Sequence, residues 1–263
     1  MDPNYIGPVI FGGLALLFTL PYWFGPILIR FTMRQSAEPE LHTFDVDDPM
    51  LPFEVANHFR RVRAALEPLG FEVVEGMALP DQTPRVKALL LMLVHRPNKD
   101  AALATAIYAK MHGESTLQTA YVEFVSRYRD GTAVQTNNTE QLSAFAPRPH
   151  ITSIRLPMIR KPDRLYQLHQ AAATRHNPSS RKVLRLEQEF RGDAVAYMAR
   201  AMVEELEGQI QTGYMYLSPG ENVYRPTWKG AFLMTWALLW PFSAIRRARR
   251  DAKARRMLRE LQA

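Results

Sequence analysis

The sequence predicts an α+β fold: a small antiparallel meander sheet covered by helices, with an N-terminal transmembrane helix and a C-terminal membrane-associated helix. Three observations lead there. Residues 5–29 form an uncharged run rich in Ile, Leu, Phe and Val. A second uncharged run, residues 230–245, passes directly into a polybasic tail. Between them the hydrophobic period changes from helical to alternating and back, in the order helix, strands, helix, helix, without the βαβ units of a parallel sheet.

No charge lies between Asp2 and Arg30. At ~1.5 Å per residue, about 20 helical residues cross a hydrocarbon core, so this run is long enough to span with some tilt. It does not read as a cleaved signal peptide. The start has no Lys or Arg, the apolar stretch is too long, and Arg30 and Arg34 stand where small cleavage-site residues belong. Pro21 and Pro26 imply a kink or an interfacial turn. Tyr22 and Trp23 suit the headgroup level. The Gly12-Gly13 pair offers a flat face for a neighbouring helix.

The second run is marginal as a span, even with Lys229 snorkelling. Eight Lys or Arg and two acids follow in residues 246–263, giving the tail +6 of the chain's formal +7. Residues 1–31 sum to zero, so the body is nearly neutral and its pI near 9.7 does not mark a nucleic-acid surface. An apolar helix running into a basic one fits a bilayer with anionic headgroups, with Met257, Leu258 and Leu261 facing the acyl boundary. All four tryptophans, Trp23, Trp228, Trp236 and Trp240, lie in or beside the two apolar runs, as interfacial residues do. The expected membrane-interface residues are therefore Tyr22, Trp23, Trp228, Lys229, Trp236, Trp240, Arg246, Arg247, Arg249 and Arg250.

The flanking charges conflict. Arg30 and Arg34 place the central domain on the cytoplasmic side, whereas the basic tail places itself there. Two spans cannot satisfy both. Either the second run dips in or lies in the interface, broken at Pro241, or both cross and the domain is outside. The first is preferred, which makes the domain cytoplasmic.

Four segments follow: an anchor (1–34), an acidic linker (35–52), a water-soluble α+β domain (53–220) and the apolar run with its basic tail (221–263). Val55, Phe59, Val62 and Leu66 recur at helical spacing over residues 53–67, and Pro68 and Gly70 end that helix. Residues 71–79 and 86–94 read as strands, with 101–110 a weaker one. Residues 121–129 alternate, and Asp130-Gly131 turns the chain into a returning strand at 132–136, a strong hairpin pattern. About five strands of meander result. A Pro-rich stretch, 146–162, holds a short strand at 151–156. A helix at 163–176 stops at Asn177-Pro178. A long helix is expected from about 180 to 212, with Leu186, Phe190, Ala194, Met198, Met202, Leu206 and Ile210 covering one face of the sheet.

No motif assigns chemistry. The chain has no cysteine, which excludes disulfides, thiolate metal sites and a Cys nucleophile. Gly-rich phosphate loops are absent. His42 beside the linker acids lacks metal-ligand spacing. His169 and His176, two helical turns apart, cannot share a metal alone and read as surface histidines. His112-Gly113-Glu114 and His150 fall in loops without a nucleophile, and Asn137-Asn138-Thr139 is a sequon of the kind that chance supplies. No catalytic, cofactor or metal residue is assigned. The leading expectation is a non-catalytic accessory or scaffold subunit whose domain binds a partner protein at the membrane. The alternatives are a lipid-binding domain, with Met198 and Met202 as adaptable liners, and a membrane-bound enzyme of unknown class.

Overall fold

The computed structural model describes residues 6–79, 86–111, 114–176 and 180–262, with side chains except at 6–16, 18, 110, 111, 114 and 262. The chain divides into two compact units. One comprises Met1–Glu38, Leu142–Ala146 and Val203–Arg249; the other comprises Pro39–Gln141, Pro147–Met202 and Arg250–Ala263.

The larger unit is built on a sheet in the order β2-β3-β4-β5-β6-β7-β8, with β9 pairing β6. These strands are β2 (His42–Phe44), β3 (Glu72–Ala78), β4 (Val86–His95), β5 (Asp100–Met111), β6 (Glu114–Tyr128), β7 (Ala133–Asn137), β8 (Ile151–Arg155) and β9 (Lys182–Val183). From β3 to β7 each strand pairs antiparallel with the next, as a meander should. The β6–β7 turn is the expected one: Gly131 has φ +84°, and Asp130 Oδ1 accepts from the Thr132 N–H and hydroxyl at 3.0 and 2.8 Å. The sheet is not purely antiparallel, because β8 runs parallel to β7. The Pro-rich stretch between them supplies the length that a parallel return needs.

Helices lie on both faces of the sheet, not on one as expected. Leu89, Leu91 and Leu93 of β4 pack in a core with Val55, Phe59, Val62 and Leu66 of α2 (Phe53–Leu66) and Leu165, Tyr166 and Leu168 of α3 (Pro162–His176). The alternate residues Leu90, Met92 and Val94 pack on the other side with Leu186, Ala194, Tyr197 and Met198. A strand buried on both faces reads as a continuous apolar run, and residues 86–94 do. The expected helix over 180–212 is instead β9, a single turn α4 (Arg185–Gln188) and α5 (Ala194–Gln211). Arg191 and Gly192 have φ of +53° and +88°, and Asp193 Oδ1 then accepts from Ala196 N–H at 2.9 Å as an N-cap. Gly followed by Asp is thus a stop and a start inside an otherwise helical stripe.

The smaller unit holds α1 (Ile6–Thr32), a three-stranded sheet in the order β1-β11-β10, α6 (Trp228–Leu238) and the start of α7 (Phe242–Gln262). The strands are β1 (Gln35–Ser36), β10 (Met215–Ser218) and β11 (Val223–Pro226). Its core gathers Leu206, Met215, Tyr224 and Met234, with Ile29 and Met33 packed alongside. Among the described residues no helix is long and apolar enough to cross a membrane, so a transmembrane helix over residues 5–29 is not supported. In α1 the described side chains are those of Leu17 and of residues 19–32, a stretch that includes Pro21, Pro26 and Arg30. Tyr5, the Gly12-Gly13 face, the His112-Gly113 loop and the Asn177-Pro178 stop lie outside the described residues. The C-terminal apolar run does break near Pro241, between α6 and α7.

The tail is corrected in one respect. Ala254 is buried, and Met257, Leu258 and Leu261 pack against the α2–α3 side of the sheet core. These side chains therefore serve the fold and do not face an acyl boundary.

Gly230 sets the start of α6. Thr227 Oγ1 accepts from Gly230 N–H at 2.9 Å as the N-cap, and a Cβ at 230 would fall inside the van der Waals shell of the Tyr214 carbonyl. That neighbour is main chain and cannot swing aside. Gly230→Ala is expected to destabilise the smaller unit at the upper end of the ~1–3 kcal/mol typical of overpacking. A urea midpoint unchanged from wild type would contradict this.

Candidate functional site

Two arrangements of side chains stand out, one in each unit. The first is the aromatic surface of the smaller unit. Helices α1 and α6 pack at Gly25, where a Cβ would come 2.6 Å from Thr235 Cγ2. Pro26 has no N–H, so the Tyr22 carbonyl lacks its helical donor. Trp236 Nε1–H fills the vacancy at 3.2 Å. The proline that seemed to threaten α1 thereby fastens it to α6. Rings continue the seam: Trp23 meets Phe232 edge-on at 6.4 Å, Phe232 meets Trp236 at 5.5 Å, and Trp236 stacks on Phe242 at 6.2 Å.

The outer surface of this pair is apolar and exposed. On α1, Leu17, Trp23, Phe24, Ile27, Leu28 and Phe31 recur at helical spacing and are exposed, Phe24 and Leu28 at 63%. Trp228, Trp236 and Leu238 are exposed on α6, and Trp240 at the elbow between α6 and α7 is 74% exposed. Globular surfaces scatter single apolar residues, but a contiguous aromatic face marks an interaction site.

No protein-family model, curated protein or solved structure matches this chain.

The expected interface residues divide in two. Trp23, Trp228, Trp236 and Trp240 are all exposed on the smaller unit, and Tyr22 is half-buried against α6. Arg247 and Arg249 are exposed. Other cations are engaged by protein. Arg246 donates to the carbonyls of Ala237 at 3.2 Å and Ser143 at 3.0 Å. In the larger unit Arg250 donates to the Glu140 carbonyl at 2.6 Å and pairs with Asp251. Lys229 Nζ donates to the Thr212 carbonyl at 3.3 Å. Sequence reasoning passed over Phe24, Leu28, Phe31 and Phe242; the spacing 17, 24, 28, 31 on α1 was the signal available.

The second arrangement is a buried polar cluster in the larger unit. Register places Ser126 of β6 opposite Asp100 of β5. Asp100, Ser126, Thr136 and His169 are all 0% exposed. Asp100 Oδ1 accepts from Ser126 Oγ at 2.5 Å and from Lys182 Nζ at 2.7 Å, and Oδ2 accepts from Tyr166 OH at 3.0 Å. Ser126 Oγ and His169 Nε2 are 2.9 Å apart, and His169 Nδ1 and Thr136 Oγ1 3.0 Å. Asn98 Nδ2 donates to Tyr166 OH at 2.9 Å.

Proton accounting fixes the direction of this chain. A carboxylate only accepts, so the Ser126 proton points at Asp100. Ser126 Oγ then accepts from His169 Nε2–H, and Nδ1 accepts from Thr136. Burial holds the His169 imidazole down, to about 4, against the opposing pull of Asp100. Ser, His and Asp meet here, but the histidine donates to the serine and takes no proton from it. With the serine sealed from solvent, the set lacks what nucleophilic catalysis requires. Its effect is structural. Tyr166 and His169 of α3, with the Ala173 carbonyl taking Tyr128 OH at 2.6 Å, hold that helix on the sheet.

His169 is therefore a core residue, not a surface one. His58 is another: it is buried on α2, its Nε2 has no hydrogen-bond partner, and burial also lowers it to about 4. Asn137 of the sequon is buried and donates to Glu123 Oε2 at 2.9 Å. Among the described residues no group of three His, Asp or Glu is placed to hold a metal. A pocket of about 320 Å³ opens beside Ala78, Leu79, Leu89, Glu40, His42 and Lys87, a mixed lining at the small end of ligand sites.

Proposed function

We propose that this chain is a membrane-attached, non-catalytic accessory or scaffold protein: the smaller unit seats in the interface of a bilayer, and the sheet unit binds a partner protein at that surface. The exposed aromatic face of α1 and the α6–α7 elbow carries the reading. Fully burying a Leu or Phe side chain contributes about 1.5–3 kcal/mol. Half of that at each of Phe24, Leu28, Phe31 and Trp240 reaches the ~4 kcal/mol of a millimolar association. Arg247 and Arg249, exposed beyond the elbow, would add attraction to anionic headgroups, about 1 kcal/mol each.

An interface seat also removes the conflict between the flanking charges, since neither apolar run then crosses. The sheet unit then stays on the same side of the bilayer as Arg30, Arg34 and the tail.

Flotation of the purified full chain with phosphatidylcholine/phosphatidylglycerol vesicles tests attachment. Wild type is expected to float. Phe24→Ser with Trp240→Ser, both at exposed positions, is expected to weaken partitioning by at least about tenfold, ~1.4 kcal/mol. Wild type that remains wholly in the aqueous fraction overturns the reading.

A further inference from the structure

Arg30 stands apart from the other cations of the smaller unit. It occupies the last turn of α1. Its guanidinium carbon lies 5.2 Å from the Tyr216 ring centroid and 5.8 Å from that of Trp228. Two aromatic planes thus orient the group by cation–π attraction. Rings do not satisfy N–H donors, however, and the guanidinium carries five. Arg30 Nε is buried without a hydrogen-bond partner. Among the described residues no carboxylate or carbonyl accepts from the side chain.

Other acceptors of the smaller unit already have partners. The Leu28 carbonyl takes Thr32 Oγ1–H at 2.8 Å, and the Ile29 carbonyl takes Met33 N–H at 3.0 Å. Glu221 is held by Arg225, and Glu38 Oε1 accepts from Asn222 at 3.1 Å. Arg225, Lys229 and Arg246 each have a protein acceptor; Arg30 alone of these four does not. A positioned, partly buried guanidinium without an anion costs desolvation that an oxyanion with two accepting oxygens would return.

We propose that Arg30, framed by Tyr216 and Trp228, is a phosphate-binding site that takes the phosphodiester oxygens of a glycerophospholipid headgroup. The proposal rests on the interface reading above. Phe31, 60% exposed and edge-on to Trp228 at 6.0 Å, places apolar surface beside the ring that Arg30 faces. A lipid seated there brings its phosphate and its acyl chains to the two kinds of surface together. The fork geometry of Arg suits two phosphate oxygens; a lysine supplies charge without it. Orthophosphate shares the chemistry and is the other source.

The test uses the full chain and phosphatidylcholine vesicles, which carry a phosphate but no net charge. Partitioning is read by flotation, and folding by far-UV circular dichroism. Arg30→Gln is expected to lower the partition coefficient about tenfold, Arg30→Lys about threefold, and the exposed control Arg247→Gln less than twofold, as the loss of a charge-assisted hydrogen bond predicts. If Arg30→Gln does not fold, Arg30→Lys decides. Equal partitioning of the Arg30 variant and wild type overturns the phosphate site and leaves the interface reading intact. If wild type does not partition, the interface reading fails, and titration with inorganic phosphate decides the site. A saturable change in tryptophan fluorescence that Arg30→Gln abolishes keeps a free-phosphate site, and its absence ends the proposal.

Discussion

Between pH 7 and pH 4 the chain is expected to lose stability steeply, and His169→Gln is expected to remove about half of that slope. Two buried imidazoles cause it. His58 and His169 are each lowered from 6.5 to about 4, with burial the largest cause in both. Hydrogen bonding to the Tyr121 main chain opposes the shift at His58, and Arg61 adds to it. Asp100 opposes it at His169, and Lys182 adds to it. Between about pH 6.5 and pH 4 the unfolded state therefore binds protons that the folded state does not. Stability rises with pH wherever that holds. The contribution is complete above 6.5 and is lost as pH falls through 4. A shift of roughly 2.5 units corresponds to about 3 kcal/mol per histidine, and to about 6 for both. Asp130, held below its ordinary value mainly by the Thr132 N–H and hydroxyl, titrates below this window, so the histidines dominate it. Urea midpoints at half-unit pH steps measure the slope. A midpoint constant from pH 7 to pH 4.5 would contradict the assignment of both histidines to the core.

These two histidines also show where the sequence stops being legible. Periodicity located the sheet strands 3 to 7, the α2 and α3 helices and the Asp130-Gly131 turn, because each is a local pattern of apolar spacing and turn chemistry. The sealed polar cluster has no such pattern. Asp100 follows an Asn-Lys turn, Ser126 sits among alternating residues, and His169 lies on an amphipathic helix whose polar face looks solvated. Strand register brings the first two together and the packing of α3 on the sheet brings the third, and both come from contacts between distant segments. The same limit hid the second helical layer. The residue stripe from Leu186 to Leu206 has helical spacing throughout, yet Gly192-Asp193 divides it; the stop and cap signals were there and the longer periodicity outweighed them. The aromatic surface was legible in composition, since the tryptophans cluster at the two ends, but not in detail. Which cations are free depends on carbonyls contributed by Thr212, Ser143 and Ala237, and nothing in a list of Arg and Lys positions reveals that. Arg30, read from sequence as a topological flank, is the cation of the smaller unit that the fold positions and leaves without an acceptor.

Lys182→Met is expected to cost about 3–5 kcal/mol, the range for breaking a buried ion pair on one side. Lys182 is on β9, a two-residue strand that pairs with β6, and its side chain is 25% exposed beside an Asp100 side chain that is 0% exposed. Removing the ammonium leaves the Asp100 carboxyl in the core with only the hydroxyls of Ser126 and Tyr166. Asp100→Asn removes the charge while keeping an acceptor oxygen. In the Lys182→Met background it should therefore recover part of the loss, so the two substitutions couple by more than the ~0.5 kcal/mol of independent sites. Arg96→Gln is the contrast. Arg96 bridges Glu72 and Glu187 with 48% of its side chain exposed, and such pairs contribute about 0–1 kcal/mol. Urea unfolding of the four members of the cycle gives the coupling directly. Simple additivity would mean that Asp100 does not need its cation, and that the hydroxyls of Ser126 and Tyr166 suffice to hold it under α3.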